Sequence, residues 1–173
     1  MTSRSTSFLP RIGGLLLCLA AVACGGGPDA AKLTDEGYAS LGKSDWKNAR
    51  ADFDAALAQL KTTDAGYLRA KLGSIEALVQ LEPAKAKDEF LALAAGMASQ
   101  VKASDFISVA SKLTSKQAFT EAVAVLEAGL KAFPEDPKVR AVGDAIVKAA
   151  QNAPDPEAKK ALESLSGLGY TGG

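Results

Sequence analysis

Apolar residues recur along the chain with the spacing of one helix face, and they do so in four blocks. Each block has an alanine, a large apolar residue four positions later and a small or apolar residue three positions after that. The sets are Ala49, Phe53 and Ala56; Ala86, Phe90 and Leu93; Ala122, Leu126 and Gly129; and Ala158, Leu162 and Leu165. Their alanines are 37, 36 and 36 residues apart. A near-constant period of this length predicts a repeated structural unit.

A further helical segment precedes each block, so each unit is predicted to be a pair of helices. The four preceding segments cover 30–41, 64–81, 104–113 and 137–151. Short breaks such as 42–44 make the two helices of a pair antiparallel neighbours. The predicted helix starts are Ser44 or Asp45, Pro83, Ser115 and Asp155-Pro156 for the second helices, and Asp64 and Asp136 for two of the first helices.

The residue sizes within a block explain how such a pair packs. A small alanine lets the second helix approach the first closely, and the large residue one turn later fills the space between them. One pair does not bury its apolar face alone, so neighbouring pairs are expected to stack. Alanine and leucine dominate the composition and aromatics make up only 6% of it, which favours helices over strands.

The units resemble the tetratricopeptide repeat. Unit one matches its consensus at Leu33, Gly37, Trp46, Ala49, Phe53 and Ala56, and unit three at Ala110, Phe119, Ala122, Leu126 and Pro134. Unit two keeps Ala70, Ala86 and Phe90 but lacks the consensus glycine, and unit four is degenerate. The period also exceeds the usual 34 residues of the family. Over residues 30–166, the resemblance implies an all-α, right-handed α-solenoid of about four antiparallel helix pairs.

In that family the first helices line a groove that binds peptides or protein segments. The resemblance places Thr34, Tyr38, Leu41, Lys71, Ile75, Leu78, Ile107, Ser111 and Thr114 in this groove. The family's clamp for C-terminal carboxylates needs lysine and asparagine where this chain has Thr34 and Tyr38, so the clamp is absent. The alternative at each position is packing against neighbouring helices, which is also the better interpretation of Trp46.

The N-terminal residues have the pattern of a secretory signal peptide. Residues 1–11 carry two arginines and no acid, and an apolar run of 11 residues follows at 12–22. That run is much shorter than the ~20 residues that a membrane-spanning helix needs. A basic start, a short apolar core and small residues before a cleavage point predict that residues 1–23 are removed on export.

The cleavage region, Ala21-Val22-Ala23-Cys24, resembles the lipobox of bacterial lipoproteins, although the family prefers leucine where Ala21 stands. The resemblance implies that Cys24 becomes the first mature residue and carries acyl chains such as palmitate. Ordinary cleavage at the same bond, with Cys24 unmodified, is the alternative. A tether of residues 24–29, rich in glycine, would join this anchor to the helical domain. Gly25, at the position after the cysteine, resembles lipoproteins that are sorted to the outer rather than the inner membrane. The resemblance implies an anchored domain that faces the periplasm.

Charge and residue content disfavour several classes of function. Lys+Arg and Asp+Glu are both 20, and loss of Arg4 and Arg11 with the leader leaves a net charge of −2, which disfavours nucleic-acid binding. The chain has no histidine, so histidine-based catalysis and metal ligation are excluded. Asp52 and Asp54 do not share a helix face, and no G-x-S-x-G surrounds any serine. We therefore expect no enzyme activity, no cofactor and no metal.

These observations predict an envelope-anchored lipoprotein with a protein-interaction domain, acting as a scaffold or assembly helper for an unidentified envelope protein. An extracytoplasmic binder of a small ligand held between the helices is the alternative, and a purely structural lipoprotein is a third possibility. Residues 167–173 form a C-terminal tail. Gly167 is expected to end the last helix in the left-handed conformation, with Leu168 and Tyr170 folding back on it.

Overall fold

The computed structural model describes residues 29–170, which form eight α-helices and no strand. The helices are α1 Ala30–Gly42, α2 Trp46–Leu57, α3 Tyr67–Leu81, α4 Pro83–Gly96, α5 Ala103–Ser115, α6 Phe119–Ala132, α7 Pro137–Gln151 and α8 Pro156–Gly167. The all-α fold class and the eight predicted segments are therefore confirmed. The predicted signal peptide, Cys24 and most of the tether lie outside the described residues.

The helices contact one another in the order of the chain. Within residues 29–170, each helix packs against helices one or two places away and no further. The odd-numbered helices contact each other in sequence and form one layer, and α4, α6 and α8 do so in a second layer. The second layer is interrupted between α2 and α4, whose backbones do not approach each other. The four helix pairs thus stack side by side, as the repeat predicts.

The repeated apolar positions form the core of this stack. Eleven of the twelve residues in the four sets are buried, and Leu162 is partly buried. One large cluster of buried side chains extends from α3 to α8. The first pair packs onto α3 through two smaller clusters, centred on Phe53 and on Ala56. The first pair therefore shares little of the main core.

Phe53 joins α1, α2 and α3 through two glycines. Its ring lies so close to Gly37 that a Cβ there would be 2.7 Å from a ring carbon, and the ring lies closer still to Gly73. Gly73 follows Gly37 by 36 residues and contacts the same ring. In unit one the glycine stands 12 residues before Ala49, whereas the residue 12 positions before Ala86 is Ser74. The absence of the consensus glycine from unit two therefore stays a prediction, and Gly73 instead packs against Phe53 of the preceding unit.

The turns of units one and three have the same hydrogen-bonded geometry. After α1, Ser44 has a φ of +58° and the amides of Ser44 and Asp45 donate to the carbonyls of Leu41 and Ser40. After α5, Gln117 has a φ of +62° and the same pattern links Gln117 and Ala118 to α5. This is the Schellman motif, which satisfies the last carbonyls of a helix. Its recurrence supports the internal repeat in those two units.

Several predicted caps are confirmed and two are wrong. Asp45, Asp136 and Asp155 accept hydrogen bonds from the first amides of α2, α7 and α8. Ser115 does not cap α6, because it is the last residue of α5 and α6 begins after Ala118. Asp64 does not cap α3: its carboxylate accepts from the amide of Lys61 at 2.8 Å and closes the preceding turn, and Gly66 stands at the N-cap.

The C-terminal end of the last helix also differs from the prediction. Gly167 is helical, and the left-handed residue is Gly169, with a φ of +90°. The amides of Gly169 and Tyr170 then donate to Ser166 and Leu165 in a third Schellman motif. Leu168 does not fold back, since it is 39% exposed. Tyr170 folds onto α7, where its ring lies against Gly143 and its hydroxyl donates to the carbonyl of Arg140 at 3.0 Å.

Candidate functional site

The structure places the predicted groove residues in two different environments. Thr34, Leu41, Ile75 and Leu78 are buried. The Thr34 hydroxyl donates to the carbonyl of Ala30 within its own helix, and Ile75 and Leu78 belong to the main core. At these four positions the alternative interpretation, packing against neighbouring helices, holds. Accessible side chains remain at Tyr38, Lys71, Ile107, Ser111 and Thr114.

A groove does lie on the layer of odd-numbered helices. It has a volume of about 180 Å³ and is formed by one residue of α1, two of α3 and four of α5. The lining residues are Tyr38, Leu72, Glu76, Asp105, Ser108, Val109 and Lys112. We call this site the odd-layer groove. Of the predicted residues, only Tyr38 lines it.

The difference on α3 and α5 is one of helix register. The groove uses Leu72 and Glu76 where the resemblance indicated Lys71 and Ile75. On α5 it uses Ser108, beside the predicted Ile107, whose side chain packs partly against the core. Consecutive residues on a helix point about 100° apart, so a shift of one position moves a side chain to another face. The sequence does contain a signal for these residues. Once the core positions are removed, α3 and α5 each keep a pair of residues at i, i+4 spacing, namely Leu72 with Glu76 and Ser108 with Lys112.

Tyr38 is held rigidly at one end of the odd-layer groove. Its ring packs edge-on against Phe53, with a centroid separation of 5.0 Å, and its hydroxyl donates to the carbonyl of Arg69 at 3.0 Å. The Arg69 guanidinium lies 4.8 Å from the ring centroid and also pairs with Asp35 at 2.8 Å. Burial of the phenol raises the pKa of Tyr38, although the Arg69 charge opposes this shift. The result is an ordered aromatic surface that keeps a partly exposed edge.

Charged and hydroxyl groups surround the apolar part of this groove. Lys112 lies 3.5 Å from a carboxylate oxygen of Glu76, and its ammonium donates to the hydroxyl of Ser108 at 3.0 Å. Asp105 accepts from the amide of Lys102 at 2.8 Å and so caps the start of α5. Apolar surface between rotatable polar groups is suited to hold an extended or helical protein segment.

A larger cleft lies beside the interruption of the second layer, between α3 and α4. Its volume is about 400 Å³ and its walls are mainly apolar. It is lined by Thr62, Tyr67, Lys71, Glu89, Ala92, Leu93, Gly96 and Met97. We call it the α3–α4 cleft. It contains the predicted residue Lys71, which therefore lies apart from the odd-layer groove.

Four charged side chains bridge the gap between α2 and α4 at one side of this cleft. Glu89 pairs with Lys71 at 2.6 Å and with Arg50 at 3.2 Å, and Arg50 also pairs with Asp54 at 2.7 Å. Burial alone would raise the pKa of Glu89, but hydrogen bonds from Lys71 and Arg50 outweigh it and lower that pKa. The pKa of Arg50 is raised, because its bonds to Asp54 and Glu89 outweigh the effect of burial. The charged forms of Glu89 and Arg50 are therefore favoured, and the formal charges of the four side chains sum to zero.

The described residues bring together no group of three carboxylates or thiols that could hold a metal ion. Asp52 and Asp54 bind different partners, since Asp52 accepts from the Ser40 hydroxyl and Asp54 from Arg50.

From 29 to 170, no helix has the length and apolar character needed to cross a bilayer. Comparisons with protein-family models, curated proteins and solved structures found no match.

Proposed function

We propose that this protein is an envelope-anchored lipoprotein whose stacked helix pairs bind a segment of another envelope protein. The observation that carries the proposal is the odd-layer groove, which combines an ordered tyrosine, aliphatic side chains and a polar rim. It is formed by helices from three successive pairs, so it runs across the stack. In this role the protein is a scaffold or assembly helper and not an enzyme.

The dimensions of the groove favour a protein segment over a small molecule. Pockets for small ligands have volumes of ~300–1,000 Å³ and enclose most of the ligand. The odd-layer groove has about 180 Å³, which is below that range. A protein segment does not need enclosure, since it gains affinity from a series of shallow contacts along one face.

The anchor is tested by replacing the proposed lipidated cysteine. Cys24→Ser is expected to abolish incorporation of radiolabelled palmitate and to release the protein from the membrane fraction, because no acyl acceptor remains. Cys18→Ser is the matched control, since residue 18 lies in the predicted leader and should leave labelling unchanged. Undiminished labelling of the Cys24→Ser protein would rule out the lipoprotein assignment.

The groove is tested by photo-crosslinking in intact cells. With p-benzoylphenylalanine at Ser108, we expect one envelope protein to form an adduct, whereas the same group at exposed Lys159 on α8 should give none. Adding Lys112→Glu should reduce the adduct several-fold, because it reverses the charge at the groove rim. Lys160→Glu on α8 is the matched control and should not change it. Equal adducts at both sites, or insensitivity to Lys112→Glu, would contradict a specific groove.

A second candidate function rests on the α3–α4 cleft. Its volume of about 400 Å³ and mainly apolar walls are in the range of small-molecule sites, and Lys71 and Glu89 place two charges at its side. This alternative is an extracytoplasmic binder of an amphipathic small ligand. Absence of any protein adduct, together with a stoichiometric organic molecule in the purified protein, would favour it over the scaffold.

A further inference from the structure

The two ends of the helices form two different edges of the stack. The tight turns within pairs, at 43–45, 82, 116–118 and 152–155, lie at one edge. The connections between pairs, at 58–66, 97–102 and 133–136, lie at the other, together with the start of α1 and the tail 168–170. We call these the turn edge and the loop edge. Shared contacts support the grouping, since Ala30 lies by Leu60, Thr62 by Met97, and Ala98 by Phe133.

The residues that end the helices differ in character between the two edges. At the turn edge, the C-cap residues of α1, α3, α5 and α7 are polar and exposed: Lys43, Glu82, Lys116 and Asn152. At the loop edge, the C-cap residues of α2, α4, α6 and α8 are all apolar: Ala58, Met97, Phe133 and Leu168. Met97 and Phe133 are only partly buried, and Ala58 and Leu168 are exposed. The repeat therefore presents one apolar residue per pair at the same edge.

The length of chain before α1 limits how far this edge lies from the anchor. Asp29 caps α1 at the loop edge, and it is five residues after Cys24. Five residues span at most about 18 Å when fully extended. The 13 residues of α1 put the turn edge about 20 Å further away.

From these observations we infer that the loop edge rests on the membrane surface, with its apolar C-cap residues against the lipid. The inference relies on the proposed lipid anchor at Cys24 and adds the orientation of the domain and the surface that contacts the bilayer. The apolar C-cap side chains favour the boundary between headgroups and acyl chains, while the exposed charges of the loop edge, Lys61, Asp64, Lys102 and Glu135, lie at the level of the headgroups. The turn edge has no apolar C-cap residue. The helices then stand away from the membrane, and the odd-layer groove, which on α5 runs from Asp105 near the loop edge to Lys112 near the turn edge, remains accessible to another envelope protein.

Energy transfer from tryptophan to a headgroup-labelled lipid tests this orientation. The chain has a single tryptophan, Trp46, in the first turn of α2 at the turn edge. In a Trp46→Phe background, Gln100→Trp places the donor at the loop edge and Lys116→Trp places it at the turn edge, at opposite ends of α5. Both positions are exposed. Each protein, purified with its own lipid, is reconstituted in phosphatidylethanolamine–phosphatidylglycerol vesicles that contain dansyl-labelled phosphatidylethanolamine.

We expect transfer from Gln100→Trp to be several-fold greater than transfer from Lys116→Trp or from native Trp46. Equal transfer from the two positions, or greater transfer from Lys116→Trp, would overturn the orientation. The mass of each purified protein, measured first, reports whether Cys24 carries lipid. An unmodified Cys24 would remove the proposed anchor and this inference with it, whereas a lipidated protein with the wrong transfer order would remove the inference alone. Circular dichroism checks that the variants keep their helices.

Discussion

Replacing Phe53 by alanine is expected to lower the free energy of unfolding of the first helix pair by about 3–5 kcal/mol. The Phe53 side chain is completely buried, and its ring fills the space between Gly37 on α1 and Gly73 on α3. Because both contacts are glycines, no neighbouring side chain at those positions is able to collapse into the cavity. A loss of this size is a large part of the ~5–15 kcal/mol that stabilises a typical domain.

The effect should be local, because α1 and α2 share little of the main core. We expect amide hydrogens of α1 and α2 to lose their protection from exchange while those of α5 to α7 keep theirs. Trp46 packs against the same small cluster as Phe53, so its fluorescence reports the first pair directly. Phe133→Ala is the matched control, because that ring is partly exposed and its loss should cost less. Uniform loss of protection along the whole chain would show that the stack unfolds as one unit.

Gly73→Ala is expected to destabilise the protein by about 1–3 kcal/mol, although alanine is normally the better helix residue. A Cβ at this position meets the Phe53 ring, which is fixed between two helices. The cost of this overpacking exceeds the ~0.5–1 kcal/mol that alanine gains over glycine inside a helix. Denaturant unfolding followed at Trp46 measures the change.

Two further variants separate overpacking from other effects at Gly73. Gly42→Ala at the end of α1 meets nothing within 4 Å and should be neutral or stabilising by up to about 1 kcal/mol. In a Phe53→Leu background, Gly73→Ala should cost clearly less, because the smaller side chain leaves room for the new methyl group. Additive effects of Phe53→Leu and Gly73→Ala would show that the two positions do not interact, contrary to the structure.

The fold was predictable from the sequence because it depends on residue size at a constant period. In all four units, the alanine and the large apolar side chain one turn later are buried between helices, apart from the partly buried Leu162. The same periodicity located the helices to within a few residues. The packing role of Gly73 was less predictable, because its partner, Phe53, belongs to the preceding unit.

The lining of the groove was less predictable because it depends on helix rotation. Whether Lys71 or Leu72 faces the groove is decided by the rotation of α3 about its own axis between α1 and α5. That rotation is set by contacts such as Phe53 with Gly73, which link residues distant in sequence. The α3–α4 cleft was also not predicted, since it results from the missing contact between α2 and α4 and no local motif marks it.

The errors at helix ends have a common cause in the competition between side-chain and backbone groups. Ser115 and Asp64 are good N-cap residues in isolation, but Ser115 donates to the carbonyl of Ser111 and Asp64 closes the turn at Lys61. At the C-terminal end of α8, two glycines were available for the left-handed position. The helix continued through Gly167 and used Gly169, which lets the Tyr170 amide complete the motif.

The placement of Tyr170 has a consequence for polymerisation. The tail follows α8 and folds back onto α7, so its ring covers Gly143 on the last described helix pair. A stack of repeats with an open end is prone to head-to-tail growth, since a contact of that type does not close on itself. Any contact that another copy made with α7 at Gly143 would require the tail to be released first, so the tail opposes growth through that part of the surface.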